Sequence, residues 1–303
     1  MLDYAALAAL AAVVREGSFE RAAGALGVTP SAVSQRVRAL EERMGAILVV
    51  RGQPCTATPV GARLCAHVEH VRLLEGEMAS ALPGLAELLP AAGPPTIRVA
   101  VNADSLATWL VPAMAAFARR GDRLVDLVVA GEDHTAERLR SGDVLAAVTT
   151  DRTPVQGCRT VPLGALRYVA TASPDFMARW FAHGVDAAAL ARAPMLRFDR
   201  QDHLQERWMA TLGTVPETLA SRAPTHWLPS TNAFVDAALA GLGWCMNPLP
   251  MVAGYLAAGR LVSLMDQRFL NVPLYWQHVR IGTRLLDALT REVVAAARDS
   301  LLR

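Results

Sequence analysis

The sequence predicts an α/β protein in three parts: an N-terminal all-α winged helix-turn-helix, a long linker helix, and a two-lobed α/β domain. Three observations carry that reading. Residues 3–44 read as three short capped helices, with a two-strand pattern behind them. Residues 59–82 carry one apolar stripe at helical spacing. From residue 96 apolar strands alternate with helices. At 303 residues the chain exceeds the usual single domain. With 52% hydrophobic residues it can bury several cores, which excludes disorder.

The first helix is an Ala/Leu run ending near Gly17. Ser18 can cap a second, SFERAAGALG, which Gly27 terminates. Thr29 caps a third and Pro30 takes its first position, where a missing N–H costs little. Val33, Val37, Leu40 and Met44 recur at spacings of three and four and face the core. Ser31, Ser34, Gln35 and Arg38 lie on the other side, with Arg36 on the flank. Residues 47–51, 52–54 and 56–58 then read as strand, turn and strand, a wing. The 59–82 helix has Leu64, Val68, Val71, Leu74, Met78 and Leu82 in a seam that suits pairing with another helix. Pro83-Gly84 breaks it, and Pro90, Gly93, Pro94 and Pro95 mark a hinge.

Beyond the hinge, IRVAVN, LVDLVVA and VLAAVTT read as strands around helices at 106–119 and 134–140, a βαβαβ unit with a parallel sheet. A second set follows: strands near 168–172, 195–198 and 244–246, with helices near 174–181, 204–209 and 234–240. The strand NVPLYWQHVR and a helix at 284–302 close the chain. The expected domains are 1–58 for the winged helix-turn-helix, 59–95 for linker and hinge, and 96–303 for the α/β part. Its first lobe takes 96–165 and 271–303, its second 166–270.

Composition limits the function. All thirty basic residues are Arg, so any phosphate or carboxylate contact must use guanidinium. A net charge of +2 does not by itself suggest nucleic acid. Four scattered cysteines with no CxxC pair fit a reduced, cytoplasmic setting. The apolar start has Asp3 where a signal peptide needs positive charge. The uncharged run 237–259 is broken by four glycines, Pro248 and Pro250, so no membrane partner is expected. No GxSxG, HExxH, P-loop or strand-borne GxGxxG is present, which argues against an enzyme and for no cofactor or metal. His67 and His70 beside Glu69 are the nearest approach to a metal site. Cys158 and Cys245 are the only pairing worth considering as redox-active, and small buried hydrophobes describe them better.

The helix pair at 18–44 is the strongest signal. Ala22, Ala23 and Ala25 let two helices approach closely across a short turn. On the third helix, Pro30, Ser31, Ser34, Gln35, Arg36 and Arg38 form a face for a DNA major groove. Ser and Gln can bond base edges there, and Arg can take guanine or phosphate. Arg51 on the wing is the phosphate-contact candidate.

The segment SFERAAGALGVTPSAVSQRVRALEERMGAILVVR resembles the helix-turn-helix and wing of the LysR-type transcriptional regulators, in order and spacing. VNADSLATWL, ERLRSGDVLAAV and LYWQHVR are further similar to the ArgP, LysG or IciA branch. The family usually has Phe where this chain has Val49. The resemblance implies a homodimer or tetramer through the linker helix and a periplasmic-binding-protein-like sensor. It also implies lysine or arginine as effector, control of basic amino-acid export and contact with RNA polymerase, and replication-origin binding has been described for the branch.

Residue chemistry places the effector in the interlobe cleft. Asn102, Asp104 and Ser105 join a strand end to a helix start, where free N–H groups favour a carboxylate. Thr149 and Thr150 end a neighbouring strand, and Ser230 and Thr231 open a helix in the other lobe. Asp104 and Asp202, with Glu132 behind, are the candidates for a cationic group.

Overall fold

The computed structural model describes residues 2–82, 95–121, 123–213, 223–280 and 283–303, and at 80, 132–134 and 136 the backbone alone. The expected hinge prolines Pro90 and Pro94 lie outside the described residues.

The N-terminal unit has helices α1 (Tyr4–Glu16), α2 (Phe19–Leu26) and α3 (Pro30–Met44). Each start is capped as the sequence predicts: Asp3 accepts from Ala5 and Ala6, Ser18 from Arg21, and Thr29 from Ala32. Leu7, Leu10, Val13, Ala22, Ala23, Val33, Val37 and Leu40 form one core, while Met44 is 43% exposed and leaves the expected inward stripe. Strands β1 (Val49–Val50) and β2 (Thr56–Ala57) pair antiparallel as a short wing. The Glu41 carboxylate accepts the Leu48 and Val49 N–H groups at 2.8 and 3.3 Å, tying the wing to α3. Val49 is buried beside Leu48, so the smaller side chain still fills the wing's core position.

The linker helix α4 (Pro59–Ala81) is capped by Thr58. Gly61 lies so close to the Leu48 carbonyl that a Cβ has no room. The expected pairing seam divides. Leu64 and Val68 turn into the N-terminal core because α4 packs on α1, whereas Leu74, Met78 and Leu82 stay exposed at spacings of four.

The larger domain is built on a seven-stranded mixed sheet in the order β10–β6–β11–β5–β3–β4, with β9 also on β6. Its strands β3 (Thr96–Val101), β4 (Leu124–Val129) and β5 (Ala146–Thr149) are the expected parallel unit. The others are β6 (Cys158–Ala172), β9 (Cys245–Pro248), β10 (Val262–Ser263) and β11 (Phe269–Val279). A small second sheet pairs β7 (Met195–Arg197) with β8 (Thr225–Trp227). The sequence predicts only the end of β6, because Pro162 and Gly164 interrupt its pattern. In the structure β6 and β11 run antiparallel along both lobes, with a register shift at Leu274/Tyr275. Gly164 (φ +122°) sits opposite that shift, against the Leu302 carbonyl. Gly164→Ala is therefore expected to destabilise the fold by about 1–3 kcal/mol, read as a lower urea midpoint at unchanged m-value.

The helix expected at 106–119 starts earlier. Ala103–Ser105 is α-helical, Leu106–Leu110 is π-helical, and Val111–Ala118 returns to α. Pro112 explains the widening, since it has no N–H for the Thr108 carbonyl and its ring crowds that group. The helix Arg284–Ser300 packs across this stretch. Among the described residues no helix is long and apolar enough to cross a membrane.

Candidate DNA interface and effector cleft

On α3 the residues Pro30, Ser31, Gln35 and Arg38 are exposed, and Ser34 and Arg36 are half-buried. Positions 30, 31, 34, 35 and 38 share one helical face. Arg38 pairs with Glu42 at 2.9 Å, but both are largely exposed, so the pair is weak and leaves the guanidinium free to exchange partners. Arg51 is exposed on the wing, its guanidinium 5.2 Å from the centre of the Phe19 ring. The ring fixes where that charge is presented.

The cleft is organised by Asp104. Asn102 caps the short helix by accepting the Ser105 N–H at 2.8 Å, which sets Asp104 at its first turn. The Tyr168 hydroxyl from β6 donates to Asp104 Oδ2 at 2.7 Å. The Thr231 hydroxyl, at the start of helix Thr231–Leu239, donates to Oδ1 at 2.7 Å. One carboxylate thus joins a β3-end loop to two elements distant in sequence. Burial pushes the Asp104 carboxyl up, the two hydroxyl bonds pull it down, and Asp202 pushes it up again.

Asp202 is held differently. It accepts N–H groups of Phe198 at 2.9 Å and Leu204 at 3.1 Å, and the Gln205 amide at 3.3 Å. Burial raises its pKa, against these bonds and the nearby Arg197. Cys245, fully buried, feels both carboxylates, and burial chiefly pushes its thiol up to about 12. A thiol so held is a poor nucleophile. Cys158 belongs to a separate small core, and both cysteines are free. The Asp202 charge is thus close enough to add to the rise of the Asp104 carboxyl.

Other predicted residues fare less evenly. The Ser105 hydroxyl is fully buried and unpartnered, and its N–H is taken by Asn102, so it presents no donor at the surface. Ser230 is exposed and caps its helix by accepting from Ala233 at 3.3 Å. Thr149 is buried and accepts the Asp151 N–H at 3.1 Å. Because β5 lies parallel beside β3, Thr149 and Thr150 share the sheet end that carries Asn102. Glu132 opens a helix after β4, and its side chain is outside the described residues. Tyr168 was not anticipated, since within the strand RYVATA it reads as core; the signal was a hydroxyl on an otherwise apolar strand. His67 bonds the Tyr4 hydroxyl at 3.2 Å, and among the described residues no cluster could hold a metal ion. Trp109, Trp244 and Trp276 are core, whereas Trp227 is 42% exposed with the Arg197 and Arg200 guanidiniums against its ring.

Comparison with known proteins adds to this geometry. The family described as "Bacterial regulatory helix-turn-helix protein, lysR family" matches residues 4–62, and "LysR substrate binding domain" matches 92–301. The chain is 45% identical over 303 residues to the HTH-type transcriptional regulator ArgP of Pseudomonas aeruginosa, covering 100% of this chain and 98% of the relative. Among solved structures, ArgP from Mycobacterium tuberculosis superposes with a TM-score of 0.80 at 42% identity, covering 100% of this chain and 99% of that one. Full-length LysG from Corynebacterium glutamicum with bound effector Arg has a TM-score of 0.71 at 37% identity, covering 100% of both chains.

Proposed function

Since the chain belongs to the LysR family of transcriptional regulators, we propose that it binds operator DNA through α3 and the wing under the control of a basic amino acid, arginine or lysine. It is a regulator and not an enzyme, as its relatives are. What supports the effector reading is the half-buried Asp104 carboxylate, gathered by Tyr168 and Thr231, with the Asp202 charge close enough to raise it. Two nearby carboxylates repel each other, and a ligand cation relieves that repulsion. The C. glutamicum relative with bound arginine supports the same class of ligand. Control of basic amino-acid export, contact with RNA polymerase and a cytoplasmic location belong to the same proposal. Calorimetric titration with the twenty amino acids tests it: arginine and lysine should bind, and a protein that binds only neutral or acidic ones overturns the reading.

The pH dependence has a definite sign. Protons and a cationic ligand compete for the same carboxylates, and the Asp104 and Asp202 carboxyls both lie above their ordinary value. Effector affinity should therefore fall as pH drops from neutral through these raised values, before an ordinary carboxylate would titrate.

On the DNA side, Gln35→Ala is expected to weaken binding to the operator by about 1–3 kcal/mol while leaving non-specific binding nearly unchanged. Arg51→Ala should weaken all sequences alike and flatten the salt dependence of binding. Titrations at several salt concentrations separate the two, and unchanged sequence preference in Gln35→Ala would place base reading elsewhere.

A further inference from the structure

We propose that Glu77, on the linker helix, is the positioning residue through which effector occupancy reaches the DNA-binding domain. Its Oε1 accepts the backbone N–H of Leu285 at 3.1 Å, in the first turn of helix Arg284–Ser300. That N–H has no partner inside its own helix. The next one, of Leu286, is capped within the lobe by Thr283 at 3.2 Å, so this helix start is completed partly from outside its domain. The carboxylate also meets the positive end of the helix dipole.

Glu77 is one of four residues that lay a face of α4 along the first lobe. Leu73 packs against the sensor core, as does Leu285. Ala66 and His70 face Gly142, where a methyl group would touch both. The positions 66, 70, 73 and 77 are spaced four, three and four, a continuous helical stripe. It is distinct from the exposed stripe of Leu74, Met78 and Leu82.

The other end of this contact leads to the effector cleft. Helix Arg284–Ser300 packs on residues 106–118, the π-helical turn and the α-helix after it, which continue the helical turn Ala103–Ser105 that holds Asp104. At the far end, α4 enters the N-terminal core through Leu64 and Val68. A shift of the cleft helix is thus passed by packed elements to the Leu285 N–H, to Glu77, and along a rigid helix to α3. Spatial continuity alone does not establish coupling, so the test must read the coupling itself.

The inference rests on the regulator reading, and the experiment separates the two. Full-length protein is titrated with an operator fragment selected from random-sequence DNA, with and without saturating L-arginine, and arginine affinity is measured with and without that DNA. By linkage the two ratios must agree. In the unaltered protein a ratio of about 5- to 150-fold is expected. Glu77→Ala and Glu77→Asp, the latter one methylene too short to reach, should both bring the ratio to within about twofold of unity. Sedimentation, arginine affinity and arginine-free operator affinity should stay as in the parent. Glu77→Gln keeps an acceptor oxygen at the same reach and should restore part of the ratio. A parental ratio in either Glu77→Ala or Glu77→Asp overturns the proposal. If Glu77→Ala does not sediment as the parent, Glu77→Asp decides alone. An unaltered protein that binds arginine but has a ratio within about twofold of unity overturns this inference and leaves the effector reading standing, whereas one that binds no arginine removes both.

Discussion

Asp104→Asn is expected to lower the affinity for arginine and lysine by about 1.5–3 kcal/mol, roughly 10- to 150-fold, with operator binding in the absence of effector unchanged. The substitution keeps size and one acceptor oxygen, so the bonds from Tyr168 and Thr231 are retained in part and the loop stays in place. What it removes is the charge. A hydrogen bond between a cation and a carboxylate is about twice as strong as a neutral one, and most of that excess is lost here. Asp202 keeps its own carboxyl in place, raised chiefly by burial, so the change in affinity reads the loss of the Asp104 charge. Calorimetry on the variant decides the matter. Unaltered affinity for both amino acids would take Asp104 out of the site.

The second large effect is expected at Met78→Glu. Met78 is 54% exposed and Leu74 43% exposed on the same face of α4, which suits them to pair with the same stripe on a second copy. A glutamate there would be buried without a partner, and dimers should dissociate. Reading two half-sites together raises DNA affinity by about 10²- to 10⁴-fold over one, so operator binding should fall by a similar factor. Sedimentation and DNA titration at one protein concentration measure both. A variant that keeps the parental oligomer and affinity would put the interface elsewhere. Val71, expected in the same seam from spacing alone, is half-buried within its own chain and is the weaker test.

Where the sequence was informative, local chemistry decided the structure. Asp3, Ser18 and Thr29 each stand where a helix needs an acceptor, and Gly17, Gly27 and Gly45 each take the left-handed turn that ends one. The parallel β3–β4–β5 unit was legible because buried parallel strands are nearly continuous apolar runs. The two long strands were not. In β6, Pro162 and Gly164 look like loop punctuation, yet they accommodate a register shift whose partner lies more than a hundred residues away. The cleft divides along the same line. Asp104 could be placed from its own neighbours, at a strand end opening a helix. Tyr168 and Thr231 meet it through contacts 64 and 127 residues apart in sequence, which no local pattern encodes. Ser105 misled for the complementary reason. A serine at a helix start reads as a donor to ligand, but Asn102 had already taken that N–H and packing had buried the hydroxyl.

The two strands β6 and β11 pass from one lobe into the other without a break in their pairing apart from the shift at Leu274/Tyr275. Lobes joined by single flexible segments can swing like a door on its pins. Lobes joined by a hydrogen-bonded ribbon flex like a leaf spring, through small angles that the ladder resists. A signal from the cleft must then be small where it starts and large where it is read. The 23 residues of α4 span about 34 Å, so a tilt of about 5° at its sensor end moves its far end by about 3 Å. That is the scale of a hydrogen bond to a base edge, enough to bring a recognition helix into register with its groove or take it out.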